Sequence, residues 1–316
     1  MSIFKRDGLR QQADRNQKPI VSQRKKRRSS RRLRKLKLSS GAFITPSFLG
    51  VMLFFIIPFL VVIFYSLVDN PIGRNFVMFD NFKAVIANKA FGRAVKNTFT
   101  FSVVAVPLAV VLSLLLAIVL DTKLPFRSQF RTFFLSPLMV PVASIVLIWQ
   151  VLFHYNGAVN EMLIKLGLDK VDWMNSEYAL FVIVILFLWK NLGYNMIMFM
   201  AALGSIPKDI LEVARLESAT PLQTFFYIKI RYLSSSLLFV TIMSLISSFK
   251  IFREVYLLTG DYPAELYTLQ HFMNNKFRAL DYQTLSAAAI LMSLVMIVII
   301  GILFIAEDRF GKDVEG

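Results

Sequence analysis

Residues 204–231 read Gly204-Ser-Ile-Pro-Lys-Asp-Ile-Leu-Glu-Val-Ala-Arg-Leu-Glu-Ser-Ala-Thr-Pro-Leu-Gln-Thr-Phe-Phe-Tyr-Ile-Lys-Ile-Arg231 and separate two strongly apolar segments. Pro207 suits an early helical position after Ser205. Leu211, Ala214, Leu216 and Ala219 recur near helical spacing among Glu212, Arg215 and Glu217. The spacing predicts a short amphipathic helix, an interruption at Pro221, and a second, more apolar helix carrying Leu222, Phe225, Phe226, Ile228 and Ile230. Two such helices on a membrane surface suit a pocket on a partner. An ordinary interfacial amphipathic hairpin has the same pattern, and the residues alone leave both readings open.

A membrane surface is implied by what flanks the stretch. The chain is 56% hydrophobic and 14% aromatic, has 30 Phe and a mean hydropathy of +0.59, and is too apolar for a soluble domain of 316 residues. It contains no Cys, which excludes disulfides, thiolate metal sites and thiol nucleophiles. Six stretches have the ~20 apolar residues a spanning helix needs: Ala42–Val68, Thr98–Leu120, Thr132–Phe153, Tyr178–Leu203, Tyr232–Leu258 and Thr284–Ala306. The expectation is an all-α integral membrane protein with a six-span domain over 42–306, a leading tail over 1–41 and a C-terminal tail over 307–316. Pro58, Pro107, Pro137 and Pro141 lie within these stretches and predict kinks, around a cavity or for packing alone.

Charge sets the orientation. Residues 1–41 hold 15 Lys+Arg against 2 Asp+Glu, which is +13 of the total net charge of +16. Their basic run from Arg24 to Leu38 precedes a span, so it reads as a juxtamembrane segment beside anionic lipid rather than as a nucleic-acid site. These 41 residues also lack the apolar core of a cleavable signal peptide. Without the tail the two sides tie, at 9 Lys+Arg each. The tail therefore decides, and the positive-inside rule places both termini and residues 204–231 in the cytoplasm. Residues 69–97 and 156–177 become outer loops with helical segments at the interface, Trp173 anchoring the second.

Polar residues inside spans mark candidate function. Asn191, Tyr194 and Asn195 share a helical face, and Ser244, Ser247, Ser248, Lys250, Arg253 and Glu254 follow in the fifth span. Lys250 and Glu254 are four apart and can pair, and the outer position of these charges also permits snorkelling. Amides, hydroxyls and aromatic surface suit a sugar-sized polar ligand, whereas hydrogen bonding between helices would use the same groups. No Gly-rich loop followed by Lys-Ser/Thr and no catalytic carboxylate spacing occur, so the sequence predicts neither an ATPase site nor a metal site in this chain. Energy then comes from another chain or from an ion gradient. Glu254 is the sole acidic residue in a predicted span, which argues against a proton relay.

The chain resembles the transmembrane permease subunits of binding-protein-dependent ABC importers, of the carbohydrate, maltose-transporter-like class. Their cytoplasmic motif runs Glu-Ala-Ala, two variable residues, Asp-Gly-Ala, then Phe and Ile-x-Leu-Pro. Glu212, Ala214, Ala219, Phe225 and Ile228 match it, while Val213, Glu217, Ser218 and Arg231 depart. Further similar landmarks run in order from about 43 to 306: Phe79-Asp-Asn-Phe82, Lys96-Asn-Thr98, Phe130-Arg-Thr-Phe133, Trp149 with Phe153, Gly157 with Asn160, Trp189-Lys190 with Gly193, and Phe252 to Gly260 with Pro263. The resemblance implies a type I importer fold with coupling helices between spans four and five. It makes Glu212, Val213, Ala214, Arg215, Glu217, Ser218 and Ala219 the ATPase-coupling residues, and Asn191, Gly193, Tyr194, Asn195, Ser244, Ser248 and Lys250 the substrate pathway. Its implied partners are an ATPase dimer that binds ATP and Mg, a second, unlike permease subunit and an extracytoplasmic solute-binding protein, all at a prokaryotic cell membrane. A neutral oligosaccharide is the expected substrate class. Lys190, Lys250, Arg253 and the outer-loop cations leave an acidic saccharide as the alternative, and an ion-coupled carrier is the alternative mechanism.

Overall fold

Helices account for the architecture, and the computed structural model describes them over residues 44–122, 125–260, 263 and 265–311. The basic segment 1–41, Lys123 and Lys312 lie outside the described residues. In chain order the helices are α1 (Ile44–Ser66), α2 (Asp80–Ala87), α3 (Lys89–Asp121), α4 (Arg127–Met139), α5 (Val142–Leu152), α6 (Ala158–Lys165), α7 (Ala179–Gly204), α8 (Lys208–Leu216), α9 (221–232), α10 (Ser234–Phe249), α11 (Arg253–Thr259), α12 (Leu269–Arg278) and α13 (Tyr282–Gly311). The chain divides into two units, the first ending at Val62 and the second beginning at Ile63.

In the first unit, α1 widens to a π-helical turn at Met52–Ile56, where the Ile57 N–H bonds the Met52 carbonyl. Pro58 is the cause. It has no N–H for the carbonyl four residues back, and its ring crowds that turn. The predicted kink at Pro58 is therefore a local widening of the helix.

The second unit is built on α3, which runs for 33 residues and carries Pro107 without a break. It begins nine residues before the predicted span, capped by the Asn88 side chain, which accepts from the Ala90 N–H at 2.9 Å. Ala94, Thr98, Ser102, Ala105, Ala109, Ser113 and Ala117 are all buried along it. This stripe of small residues lets α7, α10 and α12 pack closely, which in lipid replaces the hydrophobic drive between helices. Hydroxyls on the stripe then tie each neighbour. Thr98 Oγ1 accepts from the Leu269 N–H of α12 at 2.9 Å, and Ser113 donates to the Leu192 carbonyl of α7 at 3.3 Å.

Two predicted spans are not single straight helices. Thr132–Phe153 divides into α4 and α5, bent by 99°. Val140 precedes Pro141 and is forced extended (φ −87°, ψ 129°), and Pro141 opens α5, while Pro137 stays inside α4. Five helices are long and apolar enough to cross a membrane among the described residues, and the bent pair makes a sixth if it is one broken span. Tyr232–Leu258 is interrupted after Phe249: α10 stops, Ile251 turns into the core beside Phe101 and Phe187, and α11 resumes at Arg253.

The helix α13 continues to Gly311 and starts from a fixed corner. Asp281 Oδ1 accepts from the Thr284 N–H at 3.1 Å, and Lys276 Nζ donates to Oδ2 at 3.0 Å. Partial burial pushes the Asp281 carboxyl up, but the bonds from Lys276 and Thr284 outweigh it and hold the group below the usual carboxylate value. The corner's stabilisation is thus complete above the ordinary carboxylate pKa and is lost as pH falls through the lower folded one.

Candidate coupling loop and translocation site

The loop between α7 and α10 follows from its local chemistry. Ser205 closes α7, and Pro207 sits one position before α8 with ψ 130°, so Lys208 rather than Pro207 is the first helical residue. Ala214 is buried and Leu211 packs inward, against a core containing Met196, Phe199, Leu203 and Leu233. Glu212, Val213, Arg215, Leu216, Glu217 and Ser218 are exposed, and Ala219 is half-buried. The predicted amphipathic helix therefore presents a continuous outer face, with Leu216 85% exposed.

Ser218 makes the turn that the motif gives to Gly. Its φ is +57°, the Ser218 N–H bonds the Arg215 carbonyl at 3.1 Å, and the Ala219 N–H bonds the Ala214 carbonyl at 2.9 Å. That pair of bonds is a Schellman ending, with Ser218 in the left-handed position. Thr220 then caps α9: its hydroxyl accepts from the Gln223 N–H at 3.3 Å and its own N–H donates to Gln223 Oε1 at 2.8 Å, with Pro221 first in the helix. The left-handed region costs a non-Gly residue about 1 kcal/mol, so Ser218→Gly is expected to slow amide exchange at Ala219 about fivefold. Hydrogen-exchange mass spectrometry of the loop checks this.

The polar residues of α7 and α10 divide into two groups. Asn195, Ser244 and Ser248 are at most 2% exposed and bond between helices. Asn195 Nδ2 donates to Ser244 Oγ at 2.9 Å. Ser248 donates to the Leu245 carbonyl at 2.8 Å and, having one proton, accepts from Ser102 Oγ of α3 at 2.8 Å. Asn191, half-buried, donates to the Phe187 carbonyl of its own helix, while Tyr194 is 40% exposed and Lys250 is exposed. Ser102 is absent from the sequence prediction, although the small-residue stripe of α3 carries the signal for it.

Gly193 is buried where α7 meets α4, and a Cβ there would fall onto the Phe134 backbone carbonyl. Backbone cannot move aside as a side chain can, so Gly193→Ala must push α4 off α7. A loss of about 1–3 kcal/mol is expected, read as a lower unfolding temperature of the purified protein.

The predicted pairing of Lys250 with Glu254 is corrected. The break after α10 removes their shared helical face, and Glu254 pairs instead with Lys190 of α7. Around that pair, Trp149 of α5 stacks on Trp189 of α7 with centroids 5.8 Å apart, and Gln150 Nε2 donates to the Leu257 carbonyl of α11 at 3.0 Å. Helices α5, α7 and α11 are thereby joined. Arg253 stays exposed, and among the described residues no cluster of His, Asp or Glu is placed to hold a metal.

The family model for the binding-protein-dependent transport system inner membrane component matches residues 83–316. The chain belongs to this family. It is a multi-pass membrane protein and a permease of the ABC importer type. The permease is 29% identical over 287 residues to the probable ABC transporter permease protein YesP of Bacillus subtilis, covering 87% of this chain and 91% of YesP. It is 31% identical over 213 residues to AraP, the arabinooligosaccharides transport system permease protein of Halalkalibacterium halodurans, covering 63% and 67% of the two chains. Its fold is similar to that of a chain in the crystal structure of a bacterial ABC transporter involved in the import of the acidic polysaccharide alginate, with TM-score 0.76, 21% identity, and coverage of 87% of this chain and 96% of that one.

Proposed function

We propose that this permease is half of the translocation pathway of an ATP-driven oligosaccharide importer, driven through residues 208–231 by a separate ATPase dimer that binds ATP and Mg. The observation that carries the reading is the two-helix loop, whose inner side is anchored in the core through Leu211 and Phe225, with Ala214 buried beside them in sequence, while its outer side is exposed. A force applied to that face would pass into α7 and α10, which the loop joins. The oligosaccharide assignment draws on the similarity to AraP. The tail's charge supports cytoplasmic termini, and the remaining partners are a second, unlike permease and an extracytoplasmic solute-binding protein.

In this reading the pathway residues have different tasks. Tyr194, Asn191 and Lys250 offer groups to the solute, while Asn195, Ser244 and Ser248 hold α7, α10 and α3 in register, and Gly193 admits α4. The test is reconstitution of the assembled importer with its solute-binding protein in liposomes. Uptake that needs ATP and the ATPase supports the proposal; uptake by this chain alone down an ion gradient overturns it. Tyr194→Ala is expected to lower solute uptake about tenfold through loss of a stacking surface worth up to roughly 1.5 kcal/mol, with solute affinity of the binding protein unchanged.

A further inference from the structure

Lys190 lies about 11 residues into α7, roughly 16 Å along its axis and near the middle of a ~30 Å apolar core. The bond from Asn195 to Ser244 sets the register of α7 against α10. The two helices run in opposite directions from the loop that joins them, so about five or six residues along each from that bond bring Lys190 and Lys250 to one level. Glu254 pairs with Lys190 there, and Arg253 precedes it at the start of α11. The layer thus holds three cations, Lys190, Lys250 and Arg253, and one carboxylate, which Lys190 takes. Lys250 and Arg253 are both exposed, and among the described residues neither has an ion pair or a side-chain hydrogen bond. Glu177 and Glu265 do not offset them. They line a separate pocket with Lys96 on the Val255 side of α11, about 200° around that helix from Arg253.

We propose, on the reading of this chain as the permease of an oligosaccharide importer, that its solute is an acidic oligosaccharide whose carboxylate is held by Lys250 and Arg253. Unpaired cations at this depth are costly; in folded spans they face a water-filled path or meet a partner, and snorkelling serves residues nearer a helix end. The fifth span is also broken here, between Phe249 and Arg253. Backbone that leaves the helix at membrane depth is tolerated where it is buried or lines a cavity, and broken spans commonly form solute sites near the midplane. Tyr194 follows Lys190 by one turn on the same stripe of α7 and is 40% exposed, so a sugar ring can lie on it while its carboxylate reaches the cations. The Arg253 guanidinium matches a carboxylate through paired hydrogen bonds, and Lys250 adds a point charge. A neutral sugar would leave both charges uncompensated.

ATP-driven uptake by the assembled importer with its solute-binding protein in proteoliposomes tests it, with trigalacturonate, trimannuronate, arabinotriose and maltotriose as probes. At least one uronate trimer is expected to enter about tenfold faster than either neutral trimer. Arg253→Gln should lower that uptake about tenfold, the scale of one charge-assisted hydrogen bond, and Arg253→Lys, which keeps the charge, should restore part of it. The binding protein is the same in every assay, so a difference between variants arises in the permease. The unfolding temperature of the solute-free importer should be unchanged in Arg253→Gln, because no protein group loses a partner. A neutral trimer that enters as fast as both uronates, or uronate uptake that Arg253→Gln and Lys250→Gln leave unaltered, overturns the proposal. So does a lower unfolding temperature in Arg253→Gln, since Arg253 would then be holding the protein and not the solute. If none of the four sugars enters with ATP, the importer reading itself fails and the acidic substrate falls with it.

Discussion

Glu212→Lys is expected to lower ATP-driven uptake by at least tenfold and to uncouple ATP hydrolysis from solute, while the variant still inserts and folds. Glu212 is exposed on α8, next to exposed Val213 and two positions before buried Ala214, so its side chain contributes nothing to the core. Surface substitutions of this kind cost the fold within about 0.5 kcal/mol. At an interface the same change both removes an anion and adds a cation, and loss of a central contact there commonly costs about 2 kcal/mol or more. Every 1.4 kcal/mol is a factor of about ten in affinity, which sets the scale of the effect. The measurement is uptake and solute-stimulated ATPase activity in proteoliposomes, together with co-purification of the ATPase. Survival of both activities would mean that α8 is an interfacial hairpin and not the docking helix.

The two short helices of this loop were legible in sequence because Pro207, Pro221 and a helical apolar stripe mark them locally. The geometry at Ser218 was not. Its left-handed backbone is set by the Schellman bonds of α8 and by the Thr220 cap that follows, and a serine by itself does not announce either. Spans were legible for the same reason as the loop, since apolar length is a local property; the 99° bend was not, because Pro137 and Pro141 look alike in sequence. Only Pro141 has an extended residue before it, and Pro137 is accommodated within α4. The sequence places Asn191, Tyr194 and Asn195 on one stripe of α7, but which of them is buried and what each meets depends on tertiary packing. Asn195 and Ser248 could have met solute, and in the structure they meet Ser244 and Ser102. Tyr194, on the same helix, has no such engagement and is left accessible at 40% exposure.

The ion pair between Lys190 and Glu254 carries the second large effect. Their side chains are only 24% and 14% exposed, and they join α7 to the short helix that follows the break in the fifth span. Removing one partner leaves the other charge in a poorly solvated place, and breaking a buried pair costs about 3–5 kcal/mol. Partial exposure reduces this, so Glu254→Gln is expected to lose about 2 kcal/mol. The double variant Lys190→Met with Glu254→Gln should recover at least half of that loss, since no orphan charge remains. Thermal unfolding of the wild type, both single variants and the double variant, combined as a cycle, measures the coupling. The alternative pairing within the fifth span makes the opposite forecast: Lys250→Met would be as damaging as Glu254→Gln, and Lys190→Met would leave the pair intact. With Lys250 exposed and separated from Glu254 by the break, Lys250→Met should shift the unfolding temperature little. A function confined to packing would leave transport tracking stability in all four proteins. Because α5 joins the same cluster through Trp149 and Gln150, loosening the pair should instead lower uptake in the double variant even where stability has returned.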